Sequence, residues 1–509
     1  MDTRLDHKTY KIRNLIDDYR QGRLVIPEFQ RDYVWKPGKA PKLIDSLYHG
    51  FPVSSLLVWE SNGDVKTRRR NPHQARSART NWLIDGQQRV ITLARSHSGD
   101  EGIDVVFNIQ NEAFRRSNAA TLRDPDWIRV SEIWDEEGFR RLRRNYDNDV
   151  VEERLDRVRR VLDYEIPAVH MVDHSFDDAV QAFTRINTLG VKLKKQDIES
   201  ANVAAKHSGF IRDEVAPKIA ELARLGFDRV DVTHLFRACA FLAHPDGRRR
   251  TPLHELDRRE VMKAWKMTLK GLESTLNLVR SELGLVNMRI LWSGSLLVPP
   301  LVLCATMGPR ERKDREIAGW IALASLLHRY SGSSETALEQ DLRACRNHDP
   351  IRALLKNLRS KRDRLQAVER DFQGGLADKS GLFAVYVACH QRKVQDLFGG
   401  GKILLQDNID RHHLLPRAQF DVRERARADV LANIAFIKGG TNKSIGAASP
   451  DVYLKKTSAK VLDSQCIPRD PALWSVDAAD DFWGGRREAL ASAFNDFLAE
   501  CFPGRNGVA

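Results

Sequence analysis

Cysteine is scarce: six in 509 residues, at Cys239, Cys304, Cys345, Cys389, Cys466 and Cys501. No two form a C-x-x-C pair, which excludes a zinc ribbon and a dithiol redox motif. Long uncharged runs are also rare. Ile290 to Pro309 is uncharged over twenty residues, just enough to span a bilayer. Its Ser293-Gly294-Ser295 and Pro299-Pro300 would break a spanning helix at the centre, so a buried core segment is expected. There is no internal repeat and no low-complexity tract. The opening "MDTRLDHKTYKIR" is too charged for a secretory signal. A cytoplasmic protein without membrane attachment is expected.

What is present is an ordinary globular composition with a basic bias. The length allows two to four domains with sizeable cores. Lysine and arginine exceed acidic residues by thirteen, which favours a polyanionic partner. The first two hundred residues read as mixed α/β. "SSLLVWE" (54–60), "WLIDG" (82–86) and "IDVVFNI" (103–109) are short apolar strands, and "KAPKLIDSLYHG" (39–50) is an amphipathic helix ending at glycine. Residues 152–172 give a charged helix and then a strand. From about 200 to 375 the pattern is helical, a spacer or partner-binding bundle. "DFQGGLADKSG" (371–381) is a plausible boundary. The expected domains are 1–205, 206–375 and 376–509.

"WLIDGQQRVITLARSH" carries the N-terminal chemistry. A strand ends at Asp85, Gly86 turns the chain, and Gln87 opens a helix whose first amides point outward, a site for phosphate. Asp85 is placed to cap the helix or hold a metal–phosphate complex. Gln87 and Gln88 offer amide donors, and Arg89 a fork that fits phosphate oxygens. Five residues alone describe a capped surface helix equally well.

Two further stretches, "VIPEFQRDYVWKPGKAPKLIDSLYHG" (25–50) and "FTRINTLGVKLKKQDIESANV" (183–203), join D-G-Q-Q-R in order. Together they resemble the N-terminal domain of GmrSD-type restriction proteins, related to the ParB/sulfiredoxin-like fold, over about residues 10–205. The resemblance implies nucleoside triphosphate binding and hydrolysis (GTP, ATP or UTP) and sensing of modified DNA. Carried over by motif position, the nucleotide-site candidates are Gln30, Arg31, Asp85, Gly86, Gln87, Gln88, Arg89, Arg185 and Asn187, with Asp85 and Arg89 serving hydrolysis. Val90 and Ile91 replace the family's usual leucine and threonine. Phe29, Tyr33 and Trp35 are candidates for a DNA-sensing pocket, although such aromatics are more often core. "VKTRRRNPHQARSART" (65–80) holds six bases and no acid from Lys66 to Arg79. It is a solvated loop or, through Arg68, Arg69, Arg70 and Arg76, a DNA-backbone contact adding affinity without sequence choice.

"IDRHHLLPRAQF" (409–420) sets His412 beside His413. Asn433 follows twenty residues after His413, and Asn442 nine residues later in "GGTNKSIG". The pattern reads strand, loop, strand, helix. Phosphodiester cleavage needs a base for water, which suits imidazole. It also needs charge stabilisation on the phosphate, which a divalent cation provides. Adjacent strand residues face opposite sides, so the two histidines should hold different jobs. The pattern resembles the His-Asn-His, or ββα-metal, nuclease fold attached to GmrSD-type proteins, over about residues 380–495. The resemblance puts His412 at the metal-ligand position where aspartate is common, and His413 at the general base. It also puts Asn433 at the loop-bracing asparagine and Asn442 at the helix-borne ligand. Asp410 is a further ligand candidate, displaced by one position, and Arg417 and Lys443 are candidate phosphate contacts, Lys443 being equally well read as a solvated helix residue. His170, His234 and His390 have no such constellation and read as structural.

The expected protein is therefore multidomain α/β plus α: a ParB-like sensor, a helical middle and an HNH nuclease. Its function would be type IV-like, modification-dependent cleavage of double-stranded phage or modified DNA. The cofactors would be Mg2+ or Mn2+, with Zn2+ or Ni2+ as further options, and the protein would work as a monomer or homodimer. A ParB-type DNA-binding regulator and a nuclease toxin are the alternatives.

Overall fold

The computed structural model describes residues 3–27, 35, 38–61, 80–100, 102–146, 148–189, 195–207, 209–244, 252–332, 334–403 and 409–504. Contacts divide the chain into two units, Met1–Pro217 and Lys218–Ala509. The first is mixed α/β and the second is helical apart from one strand pair.

In the first unit the apolar runs expected at 54–60, 82–86, 103–109 and before 172 become strands, and four more strands that were not expected join them. These are β1 (Arg4–Lys11), β2 (Leu24–Val25), β3 (Leu56–Ser61) and β4 (Thr80–Asp85), then β5 (Val105–Asn108), β6 (Phe114–Arg116), β7 (Trp127–Arg129) and β8 (Glu165–Val172). Five of them form one sheet in the order β1-β8-β3-β4-β2, and β6-β5-β7 form a smaller one. Strand β3 reads "LLVWES" because it lies between β8 (parallel) and β4 (antiparallel), with five of six residues buried. Strand β1 reads "RLDHKTYK" because it is an edge, mostly exposed, where charge discourages pairing with other chains. The helix Lys39–Tyr48 buries Ala40, Leu43, Ile44 and Leu47 at helical spacing into the core beneath the sheet. Helices Phe176–Leu189 and Lys195–Lys206 match the two segments expected around residue 190, which itself lies outside the described residues.

The second unit has long helices. Arg258–Leu283 starts on a reciprocal cap: Asp257 accepts from the Glu260 amide at 2.8 Å and Glu260 accepts from the Asp257 amide at 3.0 Å. Pro299 and Pro300 sit in the first turn of the helix Val298–Thr306, where their missing donors break nothing. That apolar segment is buried, and among the described residues no helix is long and apolar enough to cross a membrane. A buried ion pair fastens the bundle. Arg329 Nε and Nη2 donate to the two Asp341 oxygens at 2.9 and 3.0 Å, and Tyr330 and Asn357 satisfy the same carboxylate.

Strands β9 (Ile409–His413) and β10 (Ile434–Lys438) pair antiparallel, and the helix Gly439–Ile445 follows β10 directly. The expected boundary at 371–381 lies within this unit and is tied to the approach to β10. Leu376 donates to the Asp429 carbonyl at 3.0 Å and Leu431 to the Gly374 carbonyl at 2.8 Å. A two-stranded sheet leaves edges that need partners. Gln465 meets β10 by donating to the Phe436 carbonyl at 2.6 Å. The fully buried Arg486, on the helix Ala479–Cys501, donates to the Ala432 and Ile434 carbonyls at 2.8 and 2.7 Å and to Gln465.

Candidate active site

The register of β9 on β10 decides which side chains meet. His412 faces Ala435 and His413 faces Ile434 across the pair, so alternation turns the two imidazoles to opposite sides. His412 is 4 % exposed and packs edge-on against Tyr453. Its Nδ1 lies 2.9 Å from Asn442 Oδ1 and its Nε2 lies 3.3 Å from the Tyr453 hydroxyl. Asp410, two residues back on the same face, accepts from Asn442 Nδ2 at 2.9 Å.

The protons in this cluster can be counted. Tyr453 has one, and it goes to the Leu414 carbonyl. A neutral His412 then satisfies one contact only: Nδ1–H donates to Asn442 Oδ1 at 2.9 Å, or Nε2–H donates to the Tyr453 oxygen at 3.3 Å and leaves a lone pair on Nδ1. The Asp410 carboxylate fixes the Asn442 amide with its nitrogen toward Asp410 and its oxygen toward His412. In the Nε2–H tautomer two lone-pair atoms face each other at 2.9 Å. A doubly protonated His412 would relieve this, but burial, against the Asn442 contact, holds its pKa below the ordinary value, and neighbouring His413 adds to the lowering. A cation between them would relieve it as well. Ligands about 2.1 Å from a metal and at right angles to each other are about 3.0 Å apart, so Nδ1 and Oδ1 fit a divalent ion. Among the described residues no trio of His, Cys, Asp or Glu is arranged around a metal. This pair has an amide as its second donor.

On the other side, His413 Nε2–H donates to Asp429 Oδ1 at 2.9 Å, which leaves Nδ1 as the accepting nitrogen. Arg417, expected on phosphate, lies 3.4 Å from the same carboxylate. Asn433 is fully buried and closes the loop between the strands. Its Oδ1 accepts from the Leu415 amide at 2.8 Å, and its Nδ2 donates to the Leu415 and Ala428 carbonyls at 3.0 and 2.9 Å. Lys443 is exposed beside Asn442. Asp429 and Tyr453 were not identified from the sequence. No fixed spacing marks them, and only the fold brings them to the histidines.

The N-terminal candidate has a different construction. Strand β4 ends at Asp85, and Gly86, at φ 97°, turns into the helix Gln87–Ser98. A Cβ on Gly86 would lie 2.3 Å from Leu56 Cδ2, so both conformation and space require glycine. Arg89 directs its guanidinium at the chain itself: Nη1 donates to the Val53 and Ser54 carbonyls, each at 2.6 Å, and Nη2 to Ser55 at 2.8 Å and Asp85 at 3.2 Å. It thereby holds the 53–55 turn, where Ser54 has φ 69°. Burial lowers the pKa of this guanidinium, and the nearby Asp85 partly offsets that. Gln87 is buried, and Gln88 Oε1 accepts from the Trp35 amide at 3.1 Å. Trp35, a sensing-pocket candidate, packs against the core. Arg185 is exposed on the helix Phe176–Leu189, and Asn187 shares that helix. Gln30, Arg31, Tyr33, Phe29, Arg68, Arg69, Arg70 and Arg76, and the side chain of Asn187, lie outside the described residues.

The histidines expected to be structural have partners. His234 completes a helix cap with Asp231, and His390 stacks on Tyr386. His170 joins Glu60 at 2.6 Å and Tyr10 at 3.0 Å.

A strand–glycine–helix unit followed by a strand–strand–helix unit narrows the class, and sequence comparison narrows it further. Residues 12–204 match the family described as GmrSD restriction endonuclease, N-terminal domain. That match makes the first unit similar to the N-terminal domain of GmrSD restriction endonucleases. An uncharacterized protein of Methanocaldococcus jannaschii is similar along most of its length. It is 20% identical over 518 residues, covering 89% of this chain and 87% of that protein.

Proposed function

We propose that the chain is a metal-dependent DNA endonuclease of restriction type, with its hydrolytic site at the β9–β10–helix unit. The observation that carries this reading is the facing pair His412 Nδ1 and Asn442 Oδ1, 2.9 Å apart, with Asp429-held His413 on the adjoining residue. His412 and Asn442 would hold a divalent cation, which supplies charge to the phosphate and the leaving oxygen. His413 Nδ1 takes the proton of the attacking water. The Asp429 carboxylate fixes the Nε2–H tautomer and stabilises the imidazolium that forms. Asp410 and Tyr453 are positioning residues, the first for the Asn442 amide and the second for the His412 ring. Asn433 holds the loop so that Asp429 reaches His413.

The matched N-terminal domain supports a nucleotide-controlled sensor of DNA modification. The opening turn of the helix Gln87–Ser98, with Asp85 at the end of the strand before it, would provide the phosphate site. Arg89 acts there by shaping the turn that borders it. His413→Ala should abolish divalent-dependent cleavage of DNA while the protein keeps its thermal unfolding midpoint; undiminished cleavage would refute the assignment. Asp85→Ala should lower triphosphate hydrolysis, and an unaltered rate would remove the N-terminal site. Matched modified and unmodified DNA, cut with and without nucleotide, tests the sensing role.

A further inference from the structure

The helical part of the second unit, read from sequence as a spacer or partner-binding bundle, contributes to a cavity of about 850 Å3 that reaches strand β9. Its wall carries Arg224, Arg229, Arg289, Lys379 and Arg411 against a single acid, Asp228. Arg229 is tied to the Leu291 carbonyl at 2.6 Å. Arg224, Arg289, Lys379 and Arg411 are exposed and, among the described residues, make no ion pair. Several other arginines of this unit are paired instead. Arg315, Arg392, Arg427 and Arg469 each lie against a carboxylate. Four unpaired cations around one concavity repel each other unless something anionic enters.

The position of the cavity selects the anion. Arg411 lies two residues before His413 and so shares its face of β9, about 6.7 Å along the strand. Phe436, opposite Arg411 in the register, also lines the cavity and gives apolar surface among the charges. A small anion needs one or two of these cations, whereas a row ending at the catalytic strand suits a chain of phosphates. We infer that this cavity is a groove for the DNA backbone flanking the scissile phosphate, with Arg224, Arg289, Lys379 and Arg411 as the phosphate contacts. The inference rests on the reading of β9 and β10 as the cleavage site.

The experiment separates the two readings by measuring binding without chemistry. Full-length His413→Ala protein is titrated in EDTA with a short fluorescent DNA duplex across a salt series. Adding Arg224→Ala, Arg289→Ala and Lys379→Ala should weaken binding on the order of tenfold and flatten the slope of log K against log[salt] by about 2 to 3, near 0.9 per phosphate contact. A control removes three exposed cations of the helix Arg258–Leu283, with Arg259→Ala, Lys263→Ala and Lys266→Ala, and should leave the slope close to that of the parent. Both triple variants should keep the parental thermal midpoint. If the two lower affinity equally, the effect is overall charge and the groove is refuted. If His413→Ala protein cuts DNA as fast as the parent in divalent cation, the cleavage reading fails, while the binding result still decides the groove.

Discussion

The two candidate sites sit at matching places, each at the start of a helix that follows a strand, yet they are built from different material. At Asp85–Arg89 the structure-bearing elements are backbone and a glycine. The arginine that looks most suited to a ligand is engaged with the Val53, Ser54 and Ser55 carbonyls. At His412–Asn442 side chains converge, and a second layer (Asp410, Tyr453, Asp429) sets their tautomers and orientation. The difference teaches what each tolerates. A backbone-built site fails when its turn is disturbed. A side-chain-built site fails when a single nitrogen is lost, with the fold intact.

The strongest way to break the comparison is His413→Ala. Loss of a general base should cut the rate of DNA cleavage by about 10²–10⁴-fold with the unfolding midpoint unchanged. A variant that also lost its fold would show the two sites to be alike. Next is Gly86→Ala. The positive φ and the contact with Leu56 should destabilise the first unit by about 2 to 4 kcal/mol, read by denaturant unfolding. A stable Gly86→Ala protein would mean the turn relaxes. Third is Tyr453→Phe, which frees the His412 tautomer. Divalent-ion affinity, by calorimetry, should fall about 10–100-fold, as for a removed partner of a metal-ligating histidine. Unchanged affinity would remove the proton count that places a cation there.

The smallest effect concerns acid. Burial first, then the Lys402 and Arg315 charges, lowers the His390 pKa from 6.5 to about 4. The unfolded chain takes up this proton first, so stability is full above pH 6.5 and is lost as pH falls toward about 4. Unfolding midpoints measured at pH 7 and 5 should differ, and His390→Phe should narrow the gap. An unchanged gap would exclude His390 as a contributor.

Much of the frame was legible from sequence. The apolar strand runs, the amphipathic helix at 39–48 and the helical stretch after 200 follow from local periodicity, and the match of residues 12–204 agrees with the motif order. The turn at Gly86 was also legible, because only glycine suits it. What sequence did not show is long-range pairing. Asp429 reaches His413 because the Asp429–Leu431 stretch is hydrogen-bonded to Gly374–Leu376, and Tyr453 reaches His412 from a helix forty-one residues away. Arg89 looked free because its acceptors are carbonyls, which every residue carries and no motif marks. Arg411 went unremarked for the opposite reason: the residues that complete its surroundings come from the middle of the chain.

The loop joining β9 and β10 has a consequence for protein engineering. Its ends are clamped by Leu414 and Leu415 on Asn433, while residues 421–427 are all exposed and Val422 is 77% exposed. The hairpin register, and with it the histidine–asparagine geometry, does not depend on how much chain lies between those clamps. A reporter or foreign domain grafted at Val422 should leave the site assembled. By the same token, relatives with a much longer gap between the histidine pair and the asparagine would be missed by any search that fixes the spacing.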